Sequence, residues 1–377
     1  MIFVDNLGLV KGLPWWTYHM PAEANGMTYV DMVFPAFLFL MGMSIPLSIE
    51  ARTVRGSGRR NIWAHVIQRS LALVVLGLFI ANAPAVDAQY THVSGPWWTT
   101  LGFLGIALLL IRFPGSERYR TAALIQRWCG LLVLVGLAIV FRRTTAAGQV
   151  AWLDFSDWEI LGLLGWAYLL VATMYLLLQK RFWLLLSALP VLVAINALSV
   201  AGRLGWLKSL PFYLSPFEAG LSSMTLAGLL ASLVLVGGVT GNRITPNLPQ
   251  KAGWMVGSAT VLFFAGWLLR PLGVSKIHDT PTWCLYCIAA NLVIVLLFNW
   301  LADVRHGLRW TGFLQVVGAN ALLAYFLPYT AYLLPKLGGL TADGTSGAVG
   351  IARAAAFTAL ILVIVLGLKR ARIRLQI

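Results

Sequence analysis

The chain has 377 residues, 59% of them hydrophobic and 11% charged, and its 36 glycines bring the apolar share to about 69%, against roughly 45–50% in an ordinary soluble chain. That much apolar surface excludes a soluble fold, and disorder requires the opposite composition, so the sequence specifies a polytopic membrane protein. The 28 Lys and Arg exceed the 13 Asp and Glu to give a net charge of +15, which in a bilayer is first a matter of topology and needs no nucleic-acid partner, while three cysteines exclude a disulfide framework.

Residues 1–10 are apolar, but as helix they cover only about 15 Å of a ~30 Å hydrocarbon core. They have neither the basic start nor the small-residue cleavage site of a signal peptide. The expectation is a chain that begins inside its first transmembrane helix. Eleven full spans follow, at 29–49, 64–83, 96–111, 123–141, 158–178, 182–200, 219–240, 252–270, 281–302, 313–334 and 348–368. The connections are short, with no low-complexity tract and no obvious repeat. The fold class expected is all-α, a polytopic transmembrane helix bundle of eleven full spans plus a truncated first helix, forming one transmembrane domain over residues 1–377 with residues 1–10 as the remnant of that helix.

Nineteen of the 28 basic residues fall on one side: Arg52, Arg55, Arg59, Arg60, Arg69, Arg112, Arg118, Arg120, Arg127, Lys180, Arg181, Arg243, Lys251, Arg305, Arg309 and the tail's Lys369, Arg370, Arg372 and Arg374. The positive-inside rule makes that side, and the C-terminus, cytoplasmic. Loops 11–28, 84–95, 142–157, 201–218, 271–280 and 335–347 then face outward. Trp15, Trp16, Trp97, Trp98, Trp152, Trp158 and Trp206 stand near outward span ends, as an aromatic belt does.

Ionisable residues at membrane depth carry a functional expectation, and here they gather on the outward half. Asp5 and His19 flank the end of the first helix. Glu23, Asn25 and Asp31 lead into the second. Asp154, Asp157 and Glu159 surround the start of the span at 158. Arg270, Lys276, His278 and Asp279 fill loop 271–280, and Asn320 lies within a span. Each has a plain structural reading: Asp31, Asp157 and Glu159 start helices and suit the dipole, Lys276 and Arg270 anchor at head groups, His19 is a loop histidine, and Asn320 bonds another helix. Together, a basic loop beside carboxylates and a histidine suits a phosphorylated or sugar ligand and proton chemistry. Cys284-Leu-Tyr-Cys287 has C-x-x-C spacing inside a span, without a second pair or a nearby histidine, and reads as packing, so no metal is expected.

The segment Gly26-Met-Thr-Tyr-Val-Asp31-Met-Val-Phe-Pro35-Ala-Phe-Leu-Phe-Leu-Met-Gly42-Met-Ser44-Ile45 resembles the second-helix motif of the heparan-alpha-glucosaminide N-acetyltransferase family and its bacterial relatives, some of unassigned activity. Gly318-Ala-Asn320-Ala-Leu-Leu-Ala-Tyr325 resembles that family's Gly-x-Asn-Ser-Ile/Leu-x-x-Tyr helix. Ser275-Lys276 with Thr280 resembles its Asn-Lys-x-x-x-Thr loop. The resemblance implies a membrane-embedded acyltransferase of the bacterial inner (plasma) membrane. An acyl group, acetyl above all, would pass from cytosolic acetyl-CoA to an amine or hydroxyl of an extracytoplasmic glycan or amino sugar. It implies His19 as base or transient acyl carrier, since imidazole titrates near neutrality and accepts acyl groups. Asp5, at the position of the family's first-helix Asn, would orient it. Asp31, Asn25, Glu159, Lys276, Thr280 and Asn320 would bind substrate or donor, in a protein embedded in lipid and free to self-associate.

The sequence departs from the family in two places. Five residues before the motif glycine stands Pro21, with His19 two residues earlier. The family's Gln-Arg pair is replaced by Gly162-Leu163, with a carboxylate added at Glu159. Two other readings stay open: a glycan or anion transporter or flippase without acyl-transfer chemistry, and a non-catalytic assembly partner.

Overall fold

The computed structural model describes residues 1–112, 120–156, 158–178, 181–205, 217–236, 248–304, 344–370 and 374–375, and, between 305 and 343, residues 312, 315, 318, 320, 321, 324, 325, 327 and 328. Its helices are α1 (Ile2–Leu7), α2 (Val33–Val54), α3 (Arg59–Asn82), α4 (Ala88–Thr91), α5 (Gly95–Leu110), α6 (Arg120–Val140), α7 (Glu159–Leu177), α8 (Phe182–Val200), α9 (Phe217–Val236), α10 (Leu248–Leu268), α11 (Pro281–Asn299) and α12 (Gly347–Arg370). Two antiparallel ladders of two residues each, Ile111–Arg112 with Arg374–Leu375 and Arg143–Thr144 with Val150–Ala151, are the strands among the described residues.

Among the described residues, eight helices are long and apolar enough to cross a membrane, which makes this an integral membrane protein; the expected count of eleven is not reached among them. The difference has physical causes. α5 has 16 residues, about 24 Å of helix against a ~30 Å core. α10 has spanning length, but Gln250, Lys251, Gly253 and Gly257 make it less apolar. The span expected at 313–334 lies mostly outside the described residues, as do Asp157 and most of loops 201–218 and 335–347.

The chain divides into two compact units, one of Met1–Trp15, Val75–Glu159 and Leu308–Ile377, the other of Trp16–Val74 and Ile160–Gly307. In the first unit, Leu7 and Val10 after α1 bury themselves against Ala354 of α12, and Lys11 N–H donates to the Thr345 carbonyl at 2.9 Å. Trp98 of α5 is fully buried, stacks on Phe79 at 5.2 Å and donates its indole N–H to Leu137 of α6 at 3.1 Å. An indole needs such a partner when buried.

The second unit is built around α9, whose side chains from Ala219 to Val234 are all buried. α2, α8 and α11 pack against it, and α10 packs on α11. Helices in lipid have little hydrophobic drive to associate, and small residues let their backbones approach. The α2–α9 crossing uses this twice: a Cβ at Gly42 would strike the Thr225 carbonyl, and one at Gly228 the Phe39 carbonyl. Gly42 is thus the motif glycine explained by packing. Gly228→Val is expected to destabilise the protein by more than about 2 kcal/mol, seen as a lowered unfolding midpoint in detergent. Gly136→Ala, where an added Cβ meets nothing within 4 Å, should stay within about 0.5 kcal/mol of the parent.

Candidate active site

The second unit brings His19, Asn25, Asp31, Lys276 and Thr280 together. The path to the site begins where α2 begins. A 3₁₀ turn, Val30–Met32, leads into α2, and Thr28 stands three residues before Asp31 in a capping-box arrangement. Asp31 N–H donates to the Thr28 carbonyl at 3.2 Å, and the Asp31 carboxylate reaches back to accept from Thr28 N–H at 3.0 Å. Oδ2 accepts also from the Thr28 hydroxyl and from Met20 N–H, both at 3.3 Å. This reciprocity satisfies donors that a helix start leaves open, and it explains the Thr-x-x-Asp spacing of the motif.

Oδ2 is thereby spent on the turn, and Oδ1 is left for His19. It lies 2.7 Å from Nδ1 of the imidazole. Asp31 is 1% exposed and His19 51%, so the carboxylate is buried beneath an accessible ring. A carboxylate only accepts, so in the neutral ring the pair fixes the tautomer with the proton on Nδ1 and the lone pair on Nε2. The carboxylate partner of His19 is therefore Asp31. The expectation that Asp31 only lines the cavity is corrected: it also orients the ring. Asp31 does so because the Thr28–Asp31 turn aims one of its oxygens at residue 19. Asp5 is exposed on α1, in the first unit.

Lys276 arrives from the other loop. Its Nζ is 3.3 Å from Nδ1 and 3.5 Å from Nε2 of His19. The loop that presents it closes on itself: Ser275 N–H donates to the Thr280 hydroxyl at 2.9 Å, Thr280 N–H donates to the Ser275 carbonyl at 3.1 Å, and His278 N–H donates to the Ser275 hydroxyl at 3.3 Å. Pro281 then starts α11 at the position a helix best tolerates proline. The two loops are tied edge to edge. Gly26 N–H donates to the Val274 carbonyl at 2.9 Å, and Val274 N–H donates to the Asn25 side-chain oxygen at 2.7 Å. Asn25 and Thr280, expected to bind substrate or donor, thus also hold the loops in place.

Glu159 and Asn320 belong to the first unit. Glu159 starts α7 with φ 50°, and its Oε1 accepts from the Tyr325 hydroxyl at 2.7 Å. Two motif segments that looked separate in sequence are joined by that bond. Asn320 is buried, 4% exposed.

Two residues of the second unit escaped the sequence reading. Asn196, buried within α8, donates to the Asp279 carbonyl at 3.0 Å. Asp279 was visible only as one charge of its loop. It is wholly buried, held at φ 46°, and accepts from the Cys284 thiol at 3.4 Å. Gly220 of α9 makes room for both, since a Cβ there would lie 2.9 Å from Asn196 Nδ2 and 2.8 Å from Asp279 Cγ. An asparagine among leucines at 182–200 was the one available signal. Cys284 serves as a donor as well as a packing group.

Burial pushes the Asp279 carboxyl well above the usual carboxylate range, with the Cys284 thiol hydrogen bond opposing. The folded state then holds this proton more tightly than the unfolded chain. The stability it carries is complete below the ordinary carboxyl range and declines as pH rises from there through the raised folded value. Asp279→Asn, neutral at every pH, is expected to unfold at a higher temperature than the parent at pH 8, by the equivalent of roughly 1–3 kcal/mol, with the gap closing toward pH 4. Thermal unfolding in detergent across that range checks it.

With this geometry in view, comparison with known proteins is informative. A family model described as a domain of unknown function (DUF5009) matches residues 7–216, more than half of the chain, and takes in His19, Asn25, Asp31 and Asn196. Heparan-alpha-glucosaminide N-acetyltransferases of Mus musculus and Homo sapiens are 37% and 38% identical to this chain over 82 residues, or 22% of it. The chain covers only 12% of the length of those relatives. The resemblance to that acetyltransferase family is thus partial in extent, and over most of its length the chain belongs to the DUF5009 family.

Proposed function

We propose that this protein is a membrane-embedded acyltransferase. It moves an acyl group, acetyl above all, from cytosolic acyl-CoA to an amine or hydroxyl of an extracytoplasmic glycan. Its setting is a bacterial inner membrane, with the C-terminus in the cytoplasm. The observation that carries this reading is the buried Asp31 carboxylate 2.7 Å from Nδ1 of an exposed His19, with the Lys276 ammonium against the same ring. The partial relatedness to named N-acetyltransferases supports the reaction class.

Acetyl-CoA is the proposed donor and supplies an acyl group activated as a thioester. An imidazole nitrogen and an ammonium suit the carbonyl end of such a group. Each side chain then has a definite task. Asp31 accepts a hydrogen bond from Nδ1–H, which orients the ring, and offsets positive charge when the ring gains it. As a base, Nε2 takes the proton that the acceptor N–H or O–H loses while its nitrogen or oxygen bonds the acyl carbon, and the carbon–sulfur bond breaks as CoA leaves as its thiolate, which regains that proton. As a carrier, Nε2 bonds the acyl carbon as the carbon–sulfur bond breaks and CoA leaves as its thiolate; the acceptor then bonds the acyl carbon, the Nε2–acyl bond breaks, and the freed imidazole takes the acceptor's proton. Both routes put negative charge on the carbonyl oxygen, which Lys276 is placed to stabilise. Asn25 and Thr280 act as positioning residues, through the loops.

Purified protein in liposomes, given acetyl-labelled acetyl-CoA and amino-sugar acceptors, should transfer label. His19→Ala should abolish transfer. Asp31→Asn should lower the rate by roughly 10²–10⁴ through the wrong tautomer, and Lys276→Met by roughly 10–10³. Full activity in His19→Ala would remove the histidine from the chemistry. Saccharide flux without any label transfer would favour the transporter reading.

A further inference from the structure

The loops that carry His19 and Lys276 also wall a cavity of about 540 Å³, within the range of small-molecule sites. Its lining comes from three places: residues 22–25, the outward end of α8 at Asn196 and Ser199, and loop 271–280. His19 and Lys276 are not among the lining residues. They belong to the same two loops, which the Asn25–Val274 and Gly26–Val274 hydrogen bonds hold together.

The lining is graded from exposed to buried. Glu23 and His278 are exposed, whereas Asn196 is 1% exposed and Asp279 2%. Asn196 spends its Nδ2 on the Asp279 backbone carbonyl at 3.0 Å. Its Oδ1 is buried, and no donor among the described residues reaches it. An unmatched buried oxygen of this kind costs about 1–3 kcal/mol, and buried polar groups in native proteins are matched almost without exception. A ligand O–H or N–H placed in the cavity would supply the missing donor. Asp279 lies beside it with a carboxyl that burial holds toward its protonated form, and such a carboxyl both donates and accepts. Neighbouring donor and acceptor oxygens of this kind match the vicinal hydroxyls of a sugar ring.

Charge narrows the ligand further. None of the described lining residues is Lys or Arg, while Glu23 brings a negative charge to the rim. A phosphate or carboxylate would therefore meet the repulsion of Glu23 and no lysine or arginine of the described lining, where only the exposed His278 can carry a compensating charge. A neutral saccharide would not, and an amine-bearing one would gain from Glu23.

We infer that this cavity is the subsite for the acyl acceptor and takes one saccharide unit, neutral or amine-bearing, through a hydroxyl or amine donated to Asn196 Oδ1 and hydrogen bonds exchanged with Asp279. This inference rests on the acyl-transfer reading above, because it assigns the acceptor of that reaction. It divides the labour between two compartments of one unit. The Lys276 ammonium serves the anionic species at His19, and the cavity beyond the Asn25–Val274 tie, whose described lining has neither lysine nor arginine, holds the sugar.

The test is binding of D-glucosamine to the purified full chain in detergent, titrated with no acyl donor present, beside inorganic phosphate. Two variants accompany the parent. Asn196→Leu removes the unmatched oxygen, and Ser199→Phe fills the cavity from a half-buried position where folding is at little risk. The expected result is saturable glucosamine binding that phosphate does not displace, weakened by about tenfold or more, ~1.4 kcal/mol or greater, in each variant. His19→Ala should bind as the parent does. Parent-like binding in Ser199→Phe, displacement by phosphate, or no saturable binding would overturn the inference. The two readings fail separately. Transfer with an unchanged acceptor KM in Ser199→Phe removes the cavity and leaves the enzyme. Glucosamine binding lost in Ser199→Phe, with no transfer by any form, removes the enzyme and leaves a saccharide site.

Discussion

The site depends on one buried carboxylate with two separate obligations. Asp31 is almost wholly removed from solvent at the start of a membrane-spanning helix, where an unpaired charge would be prohibitive. It is tolerated because both oxygens are used. Oδ2 collects donors from Thr28 and Met20 and so defines the turn that opens α2, and Oδ1 meets His19. The structural role and the chemical role are therefore the same hydrogen-bonding pattern viewed from two sides. Loss of the turn would misplace the ring, and loss of the ring would leave an oxygen without its partner.

That arrangement is only as firm as the helix it opens. α2 is held against the buried α9 by glycines at the crossing, Gly42 from one side and Gly228 from the other, so the backbone at Asp31 leads directly into the tightest contact of the unit. The lysine arm is built differently. Ser275 and Thr280 close a short loop ahead of α11, and Asn25 fastens it to the segment bearing His19. Two polypeptide segments some 250 residues apart in sequence thereby present one imidazole and one ammonium to the same point.

Much of this is legible in the sequence, for identifiable reasons. Helices that must be apolar over some twenty residues announce themselves, and α2, α3, α6, α7, α8, α9, α11 and α12 fall where the hydropathy places them. The count does not follow, because hydropathy registers apolar residues and not how many are wound into one helix; α5 is too short and α10 too polar. Asp31 and Lys276 are visible as costly residues in outward positions. Their pairing with His19 is not, because sequence spacing carries no information on which loops meet. Nor does spacing show that a four-residue turn directs Asp31 to the ring. Asn25 and Thr280 have the composition of ligand contacts and spend their oxygens on backbone N–H groups. Asn196 went unnoticed, and Asp279 stood only as one charge of its loop, because their significance lies in a contact between α8 and the loop before α11, which no local pattern announces.

The central claim is that Asp31 fixes the protonation geometry of His19 and leaves Nε2 available for acyl chemistry. Nitrogen-15 NMR of the histidine-labelled protein in detergent micelles, with His19→Ala used to assign the signal, reads this directly. The account predicts that neutral His19 carries its proton on Nδ1 and a bare Nε2, and that Asp31→Asn erases this preference. A proton resident on Nε2 in the parent, or a tautomer indifferent to Asp31→Asn, would contradict it.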